Sequence, residues 1–182
     1  MEKFILRKED SVILIIDIQE RLVPAMEDGQ RVIDNTNILM TLAKGLEMPI
    51  LVTEQYPKGL GPTVSEIREN LDKPLIYEKT SFTAYTDDIA ESLKKLGRKK
   101  VIITGMETHV CVFQTIRDLI ADGYEVFLVK DAVCSRTKEN YNNALDMMKT
   151  IGAFVTNTES VLFDLMKESG SPIFKKISKL IK

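Results

Sequence analysis

The stretch 101–118, VIITGMETHVCVFQTIRD, places a cysteine where a polypeptide can activate a thiol. A short β-branched run is followed by Gly105, which allows a sharp change of direction, and from Thr108 the apolar residues recur with a helical period. Cys111 is therefore predicted to lie in the first turn of a helix. Free N–H groups and the positive end of the helix dipole stabilise an anion there, so this position predicts a lowered pKa for the thiol.

The predicted helix turns Cys111 away from its own apolar face. At 100° per residue, Cys111 shares a side with Thr115 and Asp118. The apolar residues fall roughly opposite and are Val112, Phe113, Ile116, Leu119 and Ile120. A free cysteine is most often a small buried hydrophobe, but helix position and helix face together favour a reactive thiol at this site.

A cysteine nucleophile needs a group that handles protons and donors that stabilise the oxyanion. His109 is the chain's one histidine, and it lies about 200° around the helix from Cys111, a poor position for sharing a proton. Asp17 and Lys79 are the available substitutes. A carboxylate whose pKa is raised by burial can accept the thiol proton, and a lysine can stabilise both anions.

Predicted strands alternate with predicted helices along the chain. Short apolar runs typical of buried parallel strands occur at 12–16, 49–53, 75–77, 101–104, 125–129 and 153–156. Helical spacing or start signals, including a Thr63–Glu66 capping box, predict helices that begin at 31, 63, 86, 108, 137, 160 and 173. This alternation predicts an α/β protein of three αβα layers with a doubly wound, six-stranded parallel sheet.

The carboxyl ends of the predicted strands collect ionisable residues. Right-handed crossovers place helices on both faces of such a sheet, and ligands bind beyond the carboxyl ends of its strands. The residues that follow these ends are Asp17, Glu54, Lys79, Asp131 and the turn before Cys111. We therefore expect the ionisable groups to meet at one edge of the sheet.

Composition limits the classes of function. A chain of 182 residues predicts one domain, with a core at about 10–165 and a C-terminal helical appendage at about 170–182. The net charge of -2 gives no reason to expect nucleic acid as a partner, and the apolar runs are far shorter than a membrane span. Two cysteines, Cys111 and Cys134, without an export signal favour a cytoplasmic location. One histidine and no CxxC pair lead us to expect no metal and no cofactor.

Three motifs carry a resemblance to a known family. They are LIIDIQ around Asp17, EKTSF around Lys79 and GMETHVCVFQT around Cys111, and together they resemble the isochorismatase-like cysteine hydrolases, which include nicotinamidases and N-carbamoylsarcosine amidohydrolase. The resemblance covers about residues 10–165. It implies a Cys111, Asp17, Lys79 triad in which the thiolate attacks an amide-type carbonyl, ammonia or an amine leaves, and water hydrolyses the thioester.

The resemblance has further implications for the site. It implies a non-proline cis peptide at Met106–Glu107 and an oxyanion hole formed by the N–H groups of Glu107 and Cys111. It implies a small-molecule substrate and a homo-oligomer. Nicotinamidases in this family hold a metal with an acid and histidines after the second strand, but here TEQYPKGLG offers Glu54 and no histidine, so metal-dependent nicotinamidase activity is not expected.

Other residues near the predicted strand ends are candidates for lining a substrate pocket, with loop packing as the alternative. They are Gln19, Glu54, Gln55, Phe82, Tyr85 and His109.

Three functions remain open on the sequence. The leading hypothesis is a cysteine hydrolase acting on a small amide or related carbonyl compound through Cys111. The second is hydrolysis of an isochorismate-like vinyl ether, for which Asp17 matters and Cys111 does not. The third is a non-enzymatic thiol sensor or interaction scaffold.

Overall fold

Six parallel strands form the centre of the structure, a computed structural model that describes residues 1–72 and 75–181. The strands are β1 (Ser11–Ile16), β2 (Ile50–Gln55), β3 (Ile76–Lys79), β4 (Lys100–Met106), β5 (Glu125–Cys134) and β6 (Phe154–Thr156). Their order across the sheet is β3-β2-β1-β4-β5-β6. Lys182, the last residue of the predicted appendage, lies outside the described residues.

Helices cover both faces of this sheet. They are α1 (Gly29–Gly45), α2 (Pro57–Leu60), α3 (Ser65–Arg68), α4 (Asp87–Leu96), α5 (Phe113–Ala121), α6 (Lys138–Thr150), α7 (Thr158–Met166) and α8 (Pro172–Ile177). One core contains side chains of α1, α3, α7 and α8, and the other contains side chains of α4, α5 and α6. The predicted doubly wound α/β architecture is confirmed. No helix among residues 1–72 and 75–181 is long and apolar enough to cross a membrane.

The apolar run of β1 explains why the two cores share one sheet. All six residues of β1 are buried. Because side chains alternate across a strand, Val12 and Leu14 pack into one core while Ile13 and Ile15 pack into the other. A strand that is apolar on both sides can be satisfied only between two helical layers.

The strand order reverses between β1 and β4, and this reversal creates the crevice in which a site is expected. β1 pairs with β2 on one side and with β4 on the other, and Ile16 of β1 lies opposite Gly105 of β4. Asp17 and the segment that follows Met106 therefore leave the sheet side by side.

Strand β5 and helix α3 differ from their predictions. β5 continues past the predicted end at 129, because its register with β4 shifts between Leu128 and Val133. Asp131 lies within this irregular part, where it accepts hydrogen bonds from the N–H and hydroxyl of Thr158 and so holds the start of α7. The Thr63–Glu66 capping box is wrong, since α3 begins at Ser65 without a side-chain cap.

Gly105 lies inside β4, not in a turn after it. Its φ is +127°, and a Cβ at this position would lie 2.0 Å from the carbonyl oxygen of Ile16. The neighbouring atom is backbone of the central strand, so it cannot move aside without breaking the sheet. Glycine is thus required at the point where β1 and β4 approach each other beside the site.

Replacing Gly105 by alanine should prevent normal folding, at a cost of more than about 4 kcal/mol. Gly97→Ala is the matched control, because Gly97 also has a positive φ, +63°, but no atom lies within 4 Å of the point that an alanine Cβ would occupy there. We expect that control to lose about 1 kcal/mol from backbone conformation alone. Urea unfolding followed by circular dichroism measures both, and equal losses would contradict the close approach of β1 and β4.

Candidate active site

Asp17 follows β1 directly and is fully buried. Its φ is +53°, a conformation that aspartate tolerates better than most residues. The backbone N–H of Asp17 donates to the carbonyl of Thr53, and the Thr53 hydroxyl donates to Asp17 Oδ1 at 2.7 Å. The end of β2 thus fixes both the backbone and the carboxylate of Asp17.

Lys79 ends β3 and reaches the same carboxylate. Its Nζ lies 2.7 Å from Asp17 Oδ2, and the side chains of both residues are almost completely buried. The ammonium also donates to Gln55 Oε1 at 2.7 Å and to the carbonyls of Ser81 and Phe82 at 3.2 Å. An ammonium has three hydrogens, so these four oxygens leave none of its donors without an acceptor.

Opposing effects act on the ionisation of Asp17. Burial raises the pKa of the Asp17 carboxyl above its ordinary value, while the charge of Lys79 and the hydrogen bonds from Lys79, Thr53 and Cys111 lower it. Burial is the largest of these effects. The result is a carboxylate whose proton affinity is higher than that of a surface aspartate, as a proton acceptor in catalysis requires.

Cys111 lies in a π-helical turn, 108–112, that precedes α5. The N–H groups of Val110 and Val112 both donate to the carbonyl of Glu107, which shapes this turn. The thiol side chain packs in the core of α4, α5 and α6, and the residue is only 6% exposed. The sequence prediction that Cys111 stands apart from the core is therefore wrong.

The predicted direction of the thiol pKa is also wrong. Burial and, after it, the negative charge of Asp17 raise the pKa of Cys111 to about 12, although the positive charge of Lys79 opposes this change. With this raised pKa, Cys111 is protonated at neutral pH, and its thiol is close enough to Asp17 and Lys79 for both charges to act on its ionisation. In the part of the chain that is described, Asp17 Oδ2 contacts the Lys79 ammonium and accepts no well-aligned hydrogen bond from another group.

Cys134 provides an internal comparison. Burial raises the pKa of Cys134 to about 12 as well. It packs in the core of α1 and α7, on the other side of the sheet from Cys111, and both thiols are free. The two cysteines thus have similar acidity, and the difference between them is the Asp17–Lys79 pair beside Cys111.

The peptide bond between Met106 and Glu107 is cis. Glu107 is buried, and its Oε2 accepts hydrogen bonds from the backbone N–H of Arg136 at 3.0 Å and from Arg136 Nε at 3.1 Å. His109 Nδ1 lies 3.0 Å from the Ser135 hydroxyl. The end of β5 therefore holds the segment between β4 and Cys111 through two side-chain contacts.

Three of the predicted pocket residues make internal hydrogen bonds. The Gln19 amide bridges the carbonyls of Gln55 and Gly61 and accepts from the Gln55 N–H. Glu54 Oε1 accepts from the N–H and the hydroxyl of Thr63, both at 2.7 Å. Gln55 contacts Lys79 directly, so it is the member of this group that belongs to the site.

The two aromatic candidates lie outside the immediate site. Phe82 is 58% exposed, and its hydrogen bond with Lys79 uses the backbone carbonyl. The Tyr85 hydroxyl donates to Asp122, which follows the far end of α5, about 16 Å of helix from Cys111. A cleft of about 630 Å³ adjoins β3, but of the three predicted catalytic residues only Lys79 lines it.

Sequence reasoning missed several polar groups of the site. The groups that contact site residues or their backbone are Thr53, the carbonyls of Ser81 and Phe82, and the hydroxyl of Thr115. Of these residues, only Thr115 could have been found from the sequence, since it shares the helix face of Cys111 at a spacing of four residues.

No group of three or more His, Cys, Asp or Glu residues able to hold a metal ion occurs among residues 1–72 and 75–181.

Comparison with known families places this geometry in context. The model of the isochorismatase domain matches residues 11–160. The chain belongs to the isochorismatase family. A relative from Phytophthora sojae, described as a secreted isochorismatase effector, is 42% identical over 177 residues, which cover 94% of this chain and 84% of the relative.

Solved structures of similar proteins share the fold. The MAR1 ribonuclease from Caenorhabditis elegans is 36% identical with a TM-score of 0.91, covering 97% of this chain and 91% of that one. YcaC from Pseudomonas aeruginosa, solved with covalent acrylamide, is 27% identical with a TM-score of 0.90 and coverages of 97% and 91%. YcaC from Escherichia coli, described as an octameric hydrolase of unknown specificity, is 25% identical with a TM-score of 0.91 and coverages of 97% and 90%.

Removing one partner of the buried ion pair should be costly. Lys79→Met leaves the Asp17 carboxylate without a counter-ion, and we expect it to lower the free energy of unfolding by about 3 kcal/mol. The double variant Asp17→Asn/Lys79→Met removes both charges and should recover most of that loss. Lys95→Met is the control. Lys95 pairs with Glu91 on the exposed surface, so this substitution should not measurably change the free energy of unfolding.

The pH dependence of Lys79→Met provides a further check. A carboxyl whose folded-state pKa is raised stabilises the fold fully below its unfolded pKa and progressively less as the pH rises through the folded value. Without Lys79 the pKa of Asp17 rises further, so the variant's deficit should shrink on acidification. Urea unfolding between pH 5 and 8 measures this, and a deficit that does not change with pH would contradict an ionised Asp17 in the native pair.

Proposed function

We propose that this isochorismatase-family protein is a cysteine hydrolase that cleaves a small amide or related carbonyl compound through a thioester on Cys111. The observation that carries the proposal is the buried Asp17–Lys79 ion pair, whose two charges both act on the Cys111 thiol. In this arrangement Asp17 is the proton acceptor, Lys79 is the fixed positive charge and Cys111 is the nucleophile.

The charge balance of the three groups supports proton transfer from Cys111 to Asp17. At rest the thiol is neutral and the ion pair has no net charge. After transfer, Asp17 is neutral and the thiolate faces Lys79, so the net charge in the buried site is again zero. The raised thiol pKa, which burial and the Asp17 charge cause, therefore describes the resting state and does not prevent a concerted attack.

Acylation then follows in one balanced sequence. As the sulfur bonds to the substrate carbonyl carbon, the thiol proton moves to Asp17 and the carbonyl π electrons move to oxygen. The tetrahedral intermediate collapses with cleavage of the C–N bond, and Asp17 returns the proton to the departing nitrogen. The N–H groups of Glu107 and Cys111 are proposed to stabilise the oxyanion, a contribution of about 10²- to 10³-fold in rate for one such donor.

Deacylation uses the same groups in reverse. Asp17 takes a proton from water, the resulting hydroxide attacks the thioester carbon, and the C–S bond breaks. The carboxylic acid leaves, and the sulfur recovers its proton from Asp17. Thr53 and Lys79 keep the Asp17 carboxylate in position through both steps.

A second candidate is vinyl-ether hydrolysis, which the 42% identity to a relative described as an isochorismatase effector favours. In that reaction Asp17 would protonate the vinyl carbon and water would add to the adjacent carbon, without a bond to Cys111. The raised pKa of Asp17 suits such an acid. A ribonuclease, as the Caenorhabditis elegans relative is described, would cleave RNA and also needs no covalent step at Cys111.

Substitution of Cys111 and Asp17 tests the proposal. Incubation with acrylamide and with a panel of small aliphatic and aromatic amides should give adducts or acyl intermediates on Cys111, located by peptide mass spectrometry. Amide turnover should fall by at least about 10³-fold in Cys111→Ala and in Asp17→Asn, because the nucleophile or its proton acceptor is lost. Cys134→Ala is the matched control and should retain turnover, since that thiol lies in the opposite core.

The same variants separate the candidate functions. Isochorismate and single-stranded RNA are added as further substrates, with product detection by chromatography. If Cys111→Ala still cleaves isochorismate or RNA while Asp17→Asn does not, the corresponding alternative function replaces the cysteine-hydrolase proposal. Amide turnover that persists in Cys111→Ala would likewise rule it out.

The proposal extends to assembly, location and chain organisation. We propose a homo-oligomer, the state described for the Escherichia coli relative, and a single catalytic domain. We also propose a cytoplasmic location, because a nucleophilic thiol is best preserved in a reducing compartment.

A further inference from the structure

Thr115 joins two parts of the site that are distant in sequence. Its hydroxyl donates to the carbonyl of Cys111 at 2.6 Å and accepts a hydrogen bond from the N–H of Ala84 at 2.7 Å. Thr115 and Ala84 are both fully buried. One hydroxyl therefore connects the helical turn that carries Cys111 to the loop that precedes α4.

The loop on the other side of this connection holds Lys79. The carbonyls of Ser81 and Phe82 accept hydrogen bonds from Lys79 Nζ, and Ala84 follows two residues after Phe82. The Ser81 hydroxyl, in turn, donates to the carbonyl of Thr83, so the loop is braced between the lysine and Ala84. A displacement of Ala84 would move the acceptors that place the ammonium.

We infer that Thr115 is a positioning residue of the active site, which sets the distance between the Cys111 sulfur and the Lys79 ammonium. This role rests on the proposed function, because it matters only if the thiolate develops next to Lys79. Thr115 does not contact the reacting atoms. It acts through the Cys111 backbone on one side and through the Lys79 acceptor loop on the other.

Comparison with other threonines of the chain shows what is particular about Thr115. Thr41 and Thr150 also donate from their hydroxyls to the carbonyl four residues earlier, at 2.8 and 2.9 Å. That bond is a common local arrangement in helices. Thr115 differs because it uses its donor and its acceptor at once, and the group that donates to it belongs to a second segment in the core beside Cys111.

The test uses Thr115→Val, which keeps the shape and removes the hydroxyl, with Thr115→Ser as the rescue variant and Thr150→Val as the matched control. Each protein is treated with iodoacetamide across pH 6 to 10, and the rate of Cys111 alkylation is followed by peptide mass spectrometry. Amide turnover provides kcat and KM where a substrate has been found. Circular dichroism and thermal unfolding establish that each variant is folded.

We expect Thr115→Val to lower the rate of Cys111 alkylation about tenfold at each pH from 6 to 10. This range lies below the thiol pKa of about 12, where a rise of about one unit in the pKa leaves about a tenth of the thiolate. The charged groups that act on the thiol are the negative Asp17 and Glu107 and the positive Lys79. In the variant, Lys79 becomes less well placed to stabilise the thiolate. Thr115→Ser and Thr150→Val should keep the wild-type profile. In turnover assays kcat should fall while KM stays near the wild-type value.

The outcomes separate this inference from the proposed function. A folded Thr115→Val with the wild-type pH profile would overturn the positioning role alone, whereas wild-type Cys111 that reacts no faster than Cys134 would count against the cysteine hydrolase itself. If Thr115→Val does not fold, Thr115→Ala is assayed in the same way. Hydrogen exchange of the Ala84 N–H in the wild-type protein is the second measurement, and exchange as fast as that of an exposed loop would also overturn the inference.

Discussion

The buried ion pair between Asp17 and Lys79 is the interaction on which the rest of the site depends. Two charges removed from water are stable only when their geometry and remaining hydrogen bonds are nearly ideal. Here Thr53 supplies a donor to Asp17, while Gln55 and two loop carbonyls accept from Lys79. Each of these partners lies at or just beyond the end of a strand. The strand order β3-β2-β1-β4 thus serves to assemble this pair and to bring Cys111 next to it.

The ion pair also resolves a conflict within the site. A thiol that is buried beside a carboxylate resists ionisation, yet a cysteine nucleophile must become an anion during the reaction. The proposed mechanism meets both requirements, because the total charge of the three groups stays constant. In that mechanism the proton moves from Cys111 to Asp17, and Lys79 balances the negative charge on whichever of the two groups carries it. All three residues are buried, so bulk water has little access to the charges of the resting site.

Much of this arrangement could be predicted from local sequence. The continuous apolar run of β1 required two covering layers, and the ionisable residues after successive strands indicated which edge of the sheet carries the site. What could not be predicted depends on contacts between distant segments. Gln19 and Glu54 are polar residues at strand ends like Asp17, but they hold the loop around Gly61 and Thr63 instead. The Asp131 carboxylate likewise holds α7, because β5 continues past it through an irregular register.

The pKa of Cys111 is raised, whereas its position in the helix predicted a lowered value, and this difference shows why helix position alone misleads. A favourable helix terminus stabilises an anion by about 0.3 to 1 kcal/mol, and by about 2 kcal/mol when partly buried. A thiol pKa that moves from 9.0 to about 12 corresponds to a penalty of about 4 kcal/mol for the anion. Burial and the neighbouring carboxylate therefore outweigh the dipole. In the proposed mechanism, the reactivity of Cys111 therefore comes from a base that accepts its proton during attack, which makes Asp17 as necessary to the nucleophile as the sulfur itself.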